Sequence, residues 1–163
     1  KATAHAGLGV TLFAAAAMHA WSHEVIKVVP VGGSVDFAGH TVTLAKVEEV
    51  QGPNYLSTTA TMELSQDGRH LATLQPEKRI YPVQAMPTTE AALDQGFTRD
   101  IYLVIGDAQE GGAWAVRGYY KPFANWLWAG SALMALGGFL SLTDRRWRVA
   151  AGARRPANAV PAE

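Results

Sequence analysis

Residues 123–142 carry no charge, running through Trp126, Trp128 and Leu133 before the chain breaks into Asp144-Arg145-Arg146-Trp147-Arg148. About 20 apolar residues in a row are enough to cross the hydrocarbon core of a bilayer as a helix. Lys121 and Pro122 punctuate the other end. The arginines that follow, joined by Arg154 and Arg155, make a positive excess of the kind that stays on the cytoplasmic side of a membrane. The expected orientation therefore has the C-terminus inside and the residues before Lys121 outside.

That orientation calls for a return crossing, and the N-terminal stretch can supply it. No formally charged residue lies between Lys1 and Glu24, and residues 9–18 are apolar with strong helix formers. This segment is the weaker of the two, because alanine contributes little transfer energy and His5, His19, Ser22 and His23 are polar. A cleaved leader is the competing reading. It would need a cationic start and a small-residue cleavage site, whereas Met18-His19-Ala20-Trp21 suits an interfacial belt better. The expected organisation is a membrane helix over residues 1–23, a domain outside the cytoplasm over 24–120, a second membrane helix over 121–143 and a basic cytoplasmic tail over 144–163.

The central segment is long enough for one compact domain, and its pattern has period two. Val25, Ile26, Val28 and Val29 open it, Val35-Asp36-Phe37 follows Gly32-Gly33, and Gly39-His40 turns the chain into the alternating Val42, Leu44 and Val47. Residues 59–65 and 71–74 flank Asp67-Gly68, a pair that favours the positive φ angles of a type I′ hairpin turn. Residues 101–105 and 113–119, separated by a loop with Gly111-Gly112, read as a second hairpin. Many short strands at this spacing predict a small barrel or sandwich. Only residues 88–94 read as helical, with Thr88 or Thr89 as cap. The fold class is thus a mainly-β, barrel- or sandwich-like domain flanked by two membrane helices.

Composition narrows the chemistry. The 14 basic and 14 acidic residues cancel, and without a long basic run nothing argues for nucleic acid. With no cysteine, disulfides, thiolate metal sites and thiol catalysis are excluded for this chain. No nucleophile, base and orienting group stand at recognisable spacing, which disfavours a hydrolase. His40 and His70, at predicted turns, read as surface residues, and His19 and His23 as solvated interfacial ones. His5 is different, because it falls in an apolar predicted helix, where an ionisable group is costly. It either reaches headgroups at the membrane surface or faces a cavity, a partner or a cofactor. The proline-punctuated stretch over residues 75–90 reads as a rigid surface loop or a binding site, and Gly52-Pro53-Asn54-Tyr55 as a turn carrying an aromatic.

In order along the chain stand an apolar helix with His near its start, Gly-Pro-Asn-Tyr, the run Pro-Glu-Lys-Arg-Ile-Tyr-Pro-Val-Gln-Ala-Met-Pro-Thr-Thr-Glu-Ala-Ala, then Asp100-Ile101-Tyr102-Leu103-Val104, Lys121-Pro122-Phe123 and Gly137-Gly138 before Asp144-Arg145-Arg146. This set resembles the C-terminal region of the CcmF family, the large membrane subunit of the bacterial cytochrome c maturation haem lyase, from about His5 to Arg148. The resemblance implies an inner-membrane location, a periplasmic central domain and a part in attaching haem to apocytochrome c. It implies as partners the remaining CcmF segment, the haem chaperone CcmE, a CcmH-type subunit, apocytochrome c and membrane lipid. It also implies a membrane-held haem b, with His5 matching one axial position and the second ligand outside this chain. Pro53, Tyr55, Lys78, Arg79, Tyr81, Met86, Pro87, Thr88, Thr89 and Glu90 carry the family-like motifs as partner-binding or structural residues. The tryptophan-rich haem-handling segment of the family has no match here, so the chain is not expected to catalyse the lyase reaction by itself. The rival reading is a membrane-anchored β domain that binds a protein partner without haem, for example by adding a strand at a sheet edge.

Overall fold

The computed structural model describes residues 2–83 and 86–143; the expected basic tail lies outside the described residues. Helix α1 (Ala2–Trp21) leads directly into β1 (His23–Pro30). Strands β2 (Ser34–Phe37), β3 (His40–Gln51), β4 (Leu56–Gln66), β5 (Arg69–Leu74), β6 (Glu77–Tyr81), β7 (Met86–Glu90), β8 (Ala92–Gln95), β9 (Arg99–Ala108) and β10 (Ala113–Pro122) follow, and α2 (Ala124–Thr143) closes the described chain. Two antiparallel sheets result, one in the order β1-β10-β9-β8 and one in the order β2-β3-β4-β6-β7 with β5 also on β4.

The period-two pattern explains how the sheets meet. Val42 and Leu44 on β3 and Ala60, Met62 and Leu64 on β4 face Ile101, Leu103 and Ile105 on β9 and Val116 on β10 across one buried core. The hairpin at Asp67-Gly68 forms as its chemistry dictates, with φ of 51° and 75° at the two residues. The second predicted hairpin is β9–β10, with Ile105 opposite Val116 and Leu103 opposite Gly118.

Two local readings are corrected. Residues 88–94 are not helical: they belong to β7, paired with β6, and to β8, paired with β9. Their Glu-Ala-Ala-Leu core favours helix only weakly, and the β-branched Thr88 and Thr89 with two available sheet edges override it. His40 is not a surface residue but 6% exposed. The turn falls on Ala38-Gly39, so His40 is the first residue of β3 and points inward with Val42 and Leu44. Its Nδ1–H donates to the Ala38 carbonyl at 2.8 Å, and its ring lies 6.0 Å from that of Tyr120.

The helices run antiparallel along a seam of small residues. A Cβ on Gly7 would fall 2.6 Å from the Gly130 carbonyl oxygen, one on Gly130 would fall 2.3 Å from Thr11 Oγ1, and one on Gly137 would fall 2.5 Å from the Ala4 nitrogen. Such close backbone approach is the way helices associate where apolar burial gives no net drive. α2 is long and apolar enough to cross a membrane, with a mean hydropathy of 1.3, and it is the one described helix that meets that criterion.

The helix pair is keyed to the sandwich at the turn between β8 and β9. Phe123 N–H donates to the Thr98 carbonyl at 2.8 Å. Asn125 Nδ2 donates to the Gly96 carbonyl at 2.9 Å and to Asp100 Oδ1 at 3.0 Å, and Trp126 Nε1 donates to the Phe97 carbonyl at 2.9 Å. Phe13 of α1 packs on Phe123 and Trp126 at centroid distances of 5.2 and 5.7 Å.

Candidate functional site

Two hairpins meet at one corner of the sandwich. The turn between β3 and β4, residues 52–55, is closed by Gly52 N–H donating to the Tyr55 carbonyl at 2.9 Å. A Cβ at its first position would lie 2.4 Å from the Tyr55 ring, so any residue larger than glycine there would push that ring aside. Tyr55 thereby reaches the β6–β7 hairpin, where its ring meets Tyr81 at 5.6 Å and the Arg79 guanidinium sits 4.5 Å above it. Stacking of this kind suits the flat, delocalised arginine cation.

Alternation along β6 divides the neighbouring residues between two faces. On one face Arg79 Nε donates to Glu77 Oε2 at 2.7 Å, and Ser57 Oγ donates to the same oxygen at 3.1 Å. Glu90, opposite Glu77 in the ladder, brings Oε1 to 4.0 Å from Arg79 Nη1. The hydrogen bond from Arg79 holds the Glu77 carboxyl below the usual range, against the opposing effect of burial. The same bond raises the already high pKa of Arg79. On the other face Lys78 pairs with Asp107 at the end of β9, tying the two sheets together and lowering the Asp107 pKa.

The motif residues distributed over residues 53–90 are thus brought together. Pro53 and Tyr55 occupy the first turn, Lys78, Arg79 and Tyr81 lie on β6, and Met86, Pro87, Thr88, Thr89 and Glu90 face them from β7. The stretch read as a rigid loop is a hairpin. The Thr88 hydroxyl is buried without a hydrogen-bond partner among the described residues. Leu56, Ile80 and Pro87 stand in register across β4, β6 and β7, and all three are exposed. The corner is a packed surface in which Glu77 and Arg79 are hydrogen-bonded beneath the aromatic pair Tyr55 and Tyr81.

His5 lies apart from this corner, on an exposed face of α1 near the helix end remote from the sandwich. One turn along, Gly9 has open space where a side chain would stand, and Leu8 and Leu12 flank it, both exposed. An imidazole beside an apolar face is the kind of donor set that suits a haem. His19, the other histidine of α1, is about 21 Å away along the axis at 1.5 Å per residue, so it cannot share an iron with His5.

Sequence reasoning missed Glu77 and Asp107 as the partners that fix Arg79 and Lys78, and Asn125 and Asp100 as the joint to α2. The i, i+2 spacing of Glu77 and Arg79 was the available signal for a shared strand face. For Asn125 it was a polar side chain in the first turn of an apolar helix.

A two-sheet β domain locked onto an antiparallel pair of apolar helices defines the class: a small sandwich module carried on a helix pair. A family model described as the CcmF C-terminal β-sandwich matches residues 20–122, and the chain belongs to the CcmF family. It is 62% identical over its whole length to the cytochrome c-type biogenesis protein ccl1 of Rhodobacter capsulatus, covering 25% of that protein. It is 46% identical to the cytochrome c-type biogenesis protein CcmF of Escherichia coli K12 over 89% of this chain and 22% of the relative. The chain spans about a quarter of the length of these curated relatives. A solved structure titled cytochrome c haem lyase CcmF shares the fold over 83% of this chain and 23% of its own, with a TM-score of 0.66 at 17% identity.

Proposed function

We propose that this chain acts in cytochrome c biogenesis as the C-terminal part of a haem lyase subunit, supporting haem binding and haem attachment to apocytochrome c. The observation that carries this reading is the family match over the whole sandwich, joined to an imidazole beside an apolar helix face. Both α1 and α2 cross the bacterial inner membrane, the sandwich is periplasmic and the tail is cytoplasmic. His5 would hold a haem b together with a residue of the remaining CcmF segment. When bound, such a haem supplies reversible one-electron chemistry. The chain's own residues hold and orient: His5 donates a nitrogen lone pair, and the small-residue seam with α2 fixes the helix that carries it. The Tyr55–Arg79 corner docks partner proteins, with CcmE, a CcmH-type subunit and apocytochrome c as the candidates.

The test is haem content and reduced absorption spectra of the membrane complex purified with wild-type chain or with His5→Ala. The variant is expected to lose b-type haem and cytochrome c assembly, with partial recovery in added imidazole, while His70→Ala retains both. Unchanged haem occupancy and spectrum in His5→Ala would sink the ligand assignment. The second reading, a partner-binding module without haem, is favoured by the exposed row Leu56, Ile80 and Pro87. Under that reading a charge placed at Ile80 abolishes cytochrome assembly and leaves the haem spectrum untouched.

A further inference from the structure

Where α2 leaves the sandwich, a cavity of about 390 Å³ opens between the helices and the outer face of the β8-β9-β10 sheet. Its lining is divided by chemistry. Met18, Leu127 and Trp128 form the wall on the helix side, and Asp100, Lys121, Tyr102 and Tyr119 form the wall on the strand side. Register explains the polar wall: Asp100 stands opposite Lys121 and Tyr102 opposite Tyr119, all on the sheet face turned away from the core.

The two charges are not spent on each other. Asp100 is 2% exposed, and its Oδ1 accepts both Gly96 N–H at 3.2 Å and Asn125 Nδ2 at 3.0 Å. Among the described residues Oδ2 has no hydrogen-bond partner and Lys121 Nζ has no ion pair, although the two residues are direct cross-strand neighbours. Oδ2 is the Asp100 oxygen that stays accessible, at the cavity wall, so a donor entering the cavity can reach it. A ligand bearing a cation and an anion a few ångströms apart, with an apolar body, would satisfy both groups at once.

We infer that this cavity binds the headgroup of a phosphoethanolamine lipid, its primary ammonium donating to Asp100 Oδ2, its phosphate on Lys121 and its acyl chains running down past Leu127 and Trp128. The ammonium is specified because a carboxylate oxygen open to the cavity accepts from an N–H donor, which a trimethylated choline lacks. The phosphate is specified because Lys121 is a flexible point cation with three donors. Trp128, 77% exposed one turn into α2, suits the headgroup level where indoles concentrate. The inference rests on α2 crossing a membrane as proposed above.

The experiment is native mass spectrometry of the membrane complex containing this chain, released from nanodiscs with equal fractions of phosphatidylethanolamine, phosphatidylcholine and phosphatidylglycerol of matched acyl chains. The ethanolamine lipid is expected to remain bound about tenfold more than either competitor, the factor one charge-assisted hydrogen bond supplies. Lys121→Gln, which removes no hydrogen bond of the fold among the described residues, should lower retention of all three lipids, which share the phosphate, and Lys27→Gln should leave retention unchanged. Asp100→Asn, whose Oδ1 can still accept from Asn125 while an amide replaces Oδ2, should abolish the ethanolamine preference and is the deciding variant. Equal retention of the three lipids, unchanged retention in Lys121→Gln, or an unchanged preference in Asp100→Asn overturns the inference. Displacement of the bound lipid by millimolar soluble phosphoethanolamine would assign the site to a water-soluble phosphate ester instead and overturn the lipid. Alkaline carbonate extraction of the same membranes reads the membrane assignment separately: release of the chain there would remove α2 from the bilayer whatever the lipid result.

Discussion

The sandwich core and the helix seam are both closely packed, but they are built from opposite materials. The core is Leu44, Met62, Leu64, Ile101, Leu103 and Ile105, large side chains that leave water when the sheets meet. The seam is Gly7, Gly130 and Gly137, where the absence of side chains lets the helices approach closely. The first is the solution for a domain surrounded by water. The second suits a pair surrounded by lipid, where burying a leucine gains little over leaving it in acyl chains. The two solutions meet at residues 96–100 and 123–126, where the helix pair is held by directed hydrogen bonds instead of by area.

If this contrast is right, the two regions should fail in opposite ways. In the core the damaging change is removal: Leu103→Ala should lower stability by about 2–5 kcal/mol, read as the loss in thermal or denaturant unfolding of the chain in detergent. In the seam the damaging change is addition. Gly130→Leu should cost about 1–3 kcal/mol by overpacking, with the helices forced apart, and cross-linking between cysteines placed on α1 and α2 should drop. Equal tolerance of Gly130→Leu and Gly138→Leu, the latter with open space around it, would remove the seam from the argument. A smaller effect is expected at the hairpin that neither region buries: Gly68→Val places a β-branched residue at a φ of 75° and should destabilise by about 1 kcal/mol, with no change in helix cross-linking.

The smallest effect separates charge from packing. The folded-state pKa of Glu77 lies below its ordinary 4.5, so the folded protein binds fewer protons there than the unfolded chain. Its contribution is complete above about that value and is lost as pH falls through the lowered pKa. Glu77→Gln should therefore flatten the melting temperature against pH in the acid range and leave its value near neutrality little changed by comparison with Leu103→Ala. A steeper acid dependence in the variant would contradict the Arg79 assignment.

The sequence by itself determined the elements whose cause is local. Asp67-Gly68 can hardly do other than turn, residues 101–105 alternate about a strand axis, and α2 is apolar over enough residues to be a helix in any surroundings that exclude water. The motifs over residues 53–90 were also legible as a set. What they form was not, because a strand is completed by its neighbour. Residues 86–95 are extended because β6 and β9 offer edges, and their own helix preference is a few tenths of a kcal/mol per residue, too weak to resist. The same dependence hid His40, whose inward direction follows from counting back two residues at a time from Leu44 and Val42 once the turn is known to end at Gly39. Only the tertiary structure put the Arg79 guanidinium over Tyr55 and Asn125 against Asp100, residues 24 and 25 apart in the chain respectively. Distance in space between such pairs is decided by how two sheets and two helices pack, and packing is a property of all the contacts together, which no window of sequence contains.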